Sequence, residues 1–109
     1  MMLRPQTLLS GMLLVSSLAS AASVTLNFEG FADSTILTNQ YPGFQFTNTS
    51  ILTAGLSLNE IEFPTRSGTN VATDTGGPMA ITFTSPVLTF SGFFTYSSAL
   101  TIHAFDSLN

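Results

Sequence analysis

The sequence predicts an all-β domain, a β-sandwich or jelly roll, preceded by an export leader. From Val24 onward apolar residues recur with a period of two, and Gly- and Pro-containing turns punctuate the chain at short intervals. No window beyond the leader sustains helical spacing for three turns. Many short strands closed by such turns argue for a β-sandwich or jelly roll. With 109 residues there is room for one domain and one core.

The first element is the leader, residues 1–21. Arg4 supplies the basic start, and Leu8, Leu9, Met12, Leu13, Leu14, Val15 and Leu18 the apolar middle. Ala19-Ser20-Ala21 then offers small residues to a signal peptidase, with cleavage expected after Ala21 or, second, after Ala22. Ser10, Gly11, Ser16 and Ser17 interrupt the run, which is too short for the roughly 20 apolar residues of a membrane span. The mature chain therefore carries no expected transmembrane segment, and its expected partners in transit are the export and peptidase machinery.

The β-domain, residues 22–109, opens on Val24–Glu29, where Val24, Leu26 and Phe28 alternate with Thr25, Asn27 and Glu29. Phe44–Thr47 and Ile51–Thr53 follow, then Ile61–Phe63, Met79–Thr84, Leu88–Tyr96 and Leu100–Phe105, all rich in residues that suit a pleated, half-buried surface. Between them Tyr41-Pro42-Gly43, Arg66-Ser67-Gly68, Thr75-Gly76-Gly77-Pro78 and Ser85-Pro86 supply the backbone angles of reversals. Gly92, inside the longest strand, predicts a bulge or a close backbone approach. Asp106–Asn109 reads as the opening of a hairpin turn, so the domain is expected to be incomplete, with Val24–Glu29 and Leu100–Phe105 as exposed edges.

Charged residues are only 7% of the chain, and the polar surface must come from Ser, Thr, Asn and Gln. Without the leader, Arg66 is the only base against six acids, and there is no Lys. Nucleic-acid binding, which needs clustered cations to displace phosphate counterions, is excluded on that ground. No cysteine is present, so disulfides, thiolate metal sites and thiol nucleophiles are excluded as well.

Three places could carry chemistry. Asp74-Thr75-Gly76 matches the aspartic-protease triplet, in which paired carboxylates share a proton, but Ala72-Thr73 before it and Gly77-Pro78 after it read as a tight turn. His103 is the only imidazole, and it has no Gly-x-Ser-x-Gly partner and no same-face acid; a surface or second-layer histidine is expected. Glu29, Asp33 and Asp74 are oxygen donors that could hold Ca²⁺, although no Asp-x-Asp-x-Asp-Gly loop is present and solvated surface acids are the plainer reading. No catalytic residue is assigned. A sugar would be held by aromatic rings and amides, for which Tyr41, Phe93, Tyr96 and His103 with Asn39, Asn59 and Asn70 are the candidates. Asn48-Thr49-Ser50 matches a glycosylation acceptor, expected to be unused.

Segment order adds a resemblance. Phe28-Glu29-Gly30, Thr38 to Phe46, Leu58 to Pro64 and Ser67-Gly68-Thr69-Asn70-Val71 are followed by Gly77 to Phe83 and Phe90 to Tyr96. In that order the chain resembles the ectodomain of bacterial PEP-CTERM, or exosortase-sorted, surface proteins across nearly all of Val24–Asp106. The resemblance implies a carbohydrate-binding-like β-sandwich, secreted to the bacterial cell surface, where such proteins accompany exopolysaccharide production; it implies no defined activity and fixes no ligand residues. The family's Pro-Glu-Pro signal, apolar helix and basic cluster do not occur in this sequence. The expectation is a non-catalytic surface or matrix module, with extracellular polysaccharide as its partner, no nucleic acid, and no cofactor beyond the Ca²⁺ considered above. The alternative is an exported aspartic-type hydrolase using Asp74.

Overall fold

The computed structural model describes residues 22–106; the expected leader and the last three residues of the expected hairpin turn lie outside them. The described chain is built of strands, without a helix: β1 (Ile36–Leu37), β2 (Phe44–Thr47), β3 (Thr49–Thr53), β4 (Asn70–Asp74) and β5 (Ala80–Phe83). The strands pair antiparallel, β1 with β3, β3 with β4, and β2 with β5. The all-β class is therefore observed.

The register makes these pairings one bent ribbon. Thr49 pairs with Asp74 and Thr47 with Ala80, so Asn48 alone faces the five residues 75–79 across the ribbon. β2 and β3 are thus a single strand that pivots at Asn48, and β4 and β5 are its partner, interrupted by a bulge. Asn48 takes φ 54°, a left-handed angle that Asn tolerates better than other side-chain-bearing residues. The pivot is pinned on both sides: the Thr75 amide donates to the Asn48 carbonyl at 3.0 Å, and Asn48 Nδ2 donates to the Pro78 carbonyl at 3.1 Å.

The central strand is buried because it has neighbours on both sides. Leu37, Phe46 and Ile51 form the core, and Leu26, Phe28, Phe31, Tyr41, Phe44, Ala72 and Ile81 pack around them. Removing a side chain as enclosed as Ile51 costs about 2–5 kcal/mol in cores of this kind.

Several expected strands do not form, for identifiable reasons. In Val24–Glu29 the alternation still sends Leu26 and Phe28 to the core, but Phe28 adopts φ 65° and cannot continue a ladder. At Ile61–Phe63 the Asn59 carbonyl accepts the Glu62 and Phe63 amides at 3.2 and 2.8 Å, closing a turn that leaves Ile61 exposed. Leu88–Tyr96 and Leu100–Phe105 have no ladder partner among the described residues. Two strands escaped the pattern. β1 is only two residues long, and β4, Asn-Val-Ala-Thr-Asp, is polar at both ends and becomes a strand by pairing along all of β3.

Candidate functional site

The polar groups of this chain concentrate where loop 28–35 crosses the open end of the β3–β4 ladder. The Ala54 amide donates to the Thr69 carbonyl, and the Thr75 amide to the Asn48 carbonyl, which sets the hydrogen-bonded pairs as Ser50 with Thr73 and Leu52 with Val71. The amides of Ile51 and Thr53 consequently point the other way. Ile51 donates to the Thr35 carbonyl at 2.9 Å, and Thr53 donates to Asp33 Oδ1 at 2.7 Å. Asp33 thus replaces, with a side chain, the carbonyl that a longer β1 would have offered. Its other oxygen accepts the hydroxyls of Ser57 at 2.6 Å and Ser34 at 3.0 Å. These donors, the Ser57 hydroxyl first and the Thr53 amide next, hold the Asp33 carboxyl below its ordinary pKa.

Glu29 does the equivalent for β4. Its carboxylate accepts the Asn70 amide at 2.8 Å, the Thr69 amide at 3.2 Å and the Thr69 hydroxyl at 3.3 Å. The Asn70 amide, then that of Thr69, lowers the Glu29 pKa against a smaller opposing effect of burial. Gly68 makes room for this contact. It sits at φ +60°, and a Cβ there would run into the Glu29 carboxylate carbon, 2.6 and 2.7 Å from its two oxygens. Asn70, buried, completes the junction: its amide nitrogen donates to the carbonyls of Phe28 (2.8 Å) and Phe31 (3.0 Å), and its oxygen accepts the Thr53 hydroxyl at 2.7 Å.

The residues considered as calcium donors are therefore spent separately. Glu29 and Asp33 bind backbone amides on opposite strands, and Asp74 accepts the Gly76 amide at 3.0 Å within the bulge. Among the described residues no group of three or more His, Cys, Asp or Glu is placed to hold a metal ion. The Asp74-Thr75-Gly76 triplet begins at the end of β4 and opens the bulge that Asn48 pins, the turn geometry its glycines anticipate.

The aromatic and amide candidates divide into two sets. Tyr41 is a packing residue: its ring meets Phe31 edge-on at 5.6 Å and Phe28 at 6.1 Å, and its hydroxyl accepts the Phe28 amide at 3.0 Å. Asn70 is fully bonded as described, and Asn59 Oδ1 accepts the Ile61 amide at 3.3 Å inside the 59–63 turn. Asn39 is exposed, and its oxygen accepts the Thr38 hydroxyl at 3.4 Å. Phe93, Tyr96 and His103 are exposed, on the extended segment 84–106. His103 stacks on Phe105 with ring centres 6.2 Å apart, and the Arg66 guanidinium lies 3.9 Å over the Phe93 ring. The structure thus does not gather the seven candidates into one site.

Arg66, Gly68, Asn48 and Thr53 were not singled out as site residues from sequence. Arg66 and Gly68 were read as turn residues, Asn48 as a glycosylation acceptor and Thr53 as the end of a strand, none of which pointed to the contacts described above. Among the described residues no helix is long and apolar enough to cross a membrane. No protein-family model, curated protein or solved structure matches the chain.

Proposed function

We propose that this chain is an exported, non-catalytic module of the bacterial cell surface or its surrounding matrix, and that it binds extracellular polysaccharide through the exposed aromatic segment around Phe93, Tyr96 and His103. The observation that supports this reading most is the display of rings on an uncharged stretch: from Thr75 to Phe105 there is no Asp, Glu, Lys or Arg, and Phe90, Phe93, Phe94, Tyr96 and Phe105 are all exposed. A ring face matches the apolar face of a pyranose, and hydroxyl-bearing neighbours such as Thr95, Ser97 and Ser98 match its rim. The resemblance to exosortase-sorted ectodomains, with their β-sandwich or jelly-roll architecture, points the same way.

The reading leaves catalysis aside because Asp74-Thr75-Gly76 opens the bulge that Asn48 pins and the sequence holds no second such triplet to pair its carboxylate. Mobility of the chain in gels containing neutral polysaccharides tests the proposal. Retardation that is lost in Tyr96→Ala and Phe93→Ala supports it; equal mobility with and without every polysaccharide, or retardation unchanged in both variants, overturns it.

A further inference from the structure

Among the described residues the bent ribbon has one edge with no strand beside it. On β3 the outer side is taken by β1, Thr35 and Asp33, but no described strand flanks β4 or β5 on their far side. The register fixes which groups face that way. With Leu52–Val71 and Ser50–Thr73 as the hydrogen-bonded pairs, the amide of Ala72 points outward, as does that of Asn70, which Glu29 covers. On β5 the Thr84 amide bonds the Gly43 carbonyl, so by the same alternation Ile81 and Phe83 point outward too. Such a row of unpaired donors and acceptors is a template for another strand, and natural edges are usually blunted by Lys, Pro or an inward charge. Here Glu29 closes the edge at Asn70, and among the described residues no carboxylate does the same for β5, which is Ala-Ile-Thr-Phe.

The same chain carries a segment of strand-like sequence that pairs with nothing among the described residues. Leu88–Tyr96 has the period-two pattern, with Leu88, Phe90, Gly92, Phe94 and Tyr96 on one face. Phe90 packs on Phe83 of β5 at 6.0 Å and Phe93 lies under Arg66 of the segment before β4, and the segment forms no ladder with the ribbon. The donor segment and β5 lie inside the uncharged 75–105 stretch, so the donor brings no charge against Asp74 and Glu29 on the β4 end of the edge.

We propose that the outer edge of β4–β5 accepts the Leu88–Tyr96 strand of a second copy of this chain, by main-chain pairing of the β-augmentation type. Reciprocal exchange closes the assembly as a two-fold dimer. With Asn70 closed by Glu29, β4 and β5 offer four residues of edge each and the donor nine, so each copy engages about seventeen residues, just under the roughly 20–30 a side of a stable interface. The inference shares the Leu88–Tyr96 segment with the polysaccharide reading but rests on its backbone groups, so amide protection tests it separately from gel retardation.

Sedimentation of the purified full chain over a range of concentrations, with amide exchange followed at each, tests this. The expected result is a monomer–dimer equilibrium in which Ala72, Ile81 and Phe83 amides gain protection, roughly tenfold or more, as dimer forms. Ala72→Pro removes one outward amide without touching the ladder to β3 and is expected to shift the equilibrium to monomer, as is Phe90→Lys on the donor strand. A monomer at all concentrations overturns the proposal, as does association in which those three wild-type amides gain no protection, a readout that stands even where a variant fails to fold.

Discussion

The Glu29 carboxylate accepts the Asn70 backbone amide at 2.8 Å, joining residues forty-one positions apart. A carboxylate here does what a neighbouring strand would do, satisfying the outward amide at the start of β4. The contact requires a glycine at 68, since any Cβ there would occupy the space of the carboxylate. Gly68→Ala is therefore expected to destabilise the fold by roughly 1–2 kcal/mol for the left-handed angle and to displace the Glu29 carboxylate from the Asn70 and Thr69 amides. A lowered urea midpoint in Gly68→Ala, with a smaller further loss when Glu29→Ala is added to it than when Glu29→Ala is made alone, would establish the coupling.

Stability should depend on pH through the same junction. Glu29 and Asp33 both have folded-state pKa values lowered by hydrogen-bond donors, Asn70 and Thr69 amides for one and the Ser57 hydroxyl and Thr53 amide for the other. A depressed carboxyl contributes stability that is full above its unfolded pKa and is lost as pH falls through the folded value. The melting temperature of the wild type is expected to exceed that of the Glu29→Gln, Asp33→Asn double variant at neutral pH. The gap should narrow steadily from about pH 5 downward, as the carboxylates protonate. A gap independent of pH would contradict the assignment.

Asn48 should be replaceable by glycine but not by alanine. Both lose the bond from Nδ2 to the Pro78 carbonyl, while only alanine also meets the cost of φ 54°. Asn48→Ala is expected to lose about 1–2 kcal/mol more than Asn48→Gly in chemical unfolding. Asp74→Asn, by contrast, keeps a short side-chain acceptor for the Gly76 amide and should melt close to wild type.

Tyr41 and Tyr96 should separate stability from binding. Tyr41→Phe deprives the Phe28 amide of its acceptor and is expected to cost about 1 kcal/mol, with polysaccharide retardation unchanged. Tyr96→Ala removes an exposed ring and should leave the melting temperature in place while weakening retardation. The opposite pattern would exchange the roles given to the two residues.

Calcium should not stabilise the folded chain. A ligand raises stability only when the folded state binds it preferentially, and Glu29, Asp33 and Asp74 are each bonded to backbone amides in separate places. Addition of about 1 mM calcium or of chelator is expected to leave the melting temperature within about 1 °C. A reversible rise with calcium would show that the carboxylates can be recruited together.

The sequence by itself determined the class of the fold and the places where the chain turns. Period-two alternation found β2, most of β3 and β5 and sent Leu26 and Phe28 inward, because which face a side chain meets is a local property of the backbone. The turns at Tyr41-Pro42-Gly43 and Thr75-Gly76-Gly77-Pro78 were legible for the same reason. Pairing is not local, and it was the tertiary structure that decided it. Leu88–Tyr96 has the stronger strand pattern and finds no ladder among the described residues, whereas Asn70–Asp74 has a weak one and pairs with β3 over its whole length. The same holds for the charged and aromatic candidates. Glu29, Asp33 and Tyr41 carry side chains that suit ligand binding, and only the three-dimensional placement of Asn70, Thr53 and Phe28 shows that their polar atoms complete backbone hydrogen bonds, since a carboxylate or hydroxyl near an unpaired amide satisfies it before any ligand arrives.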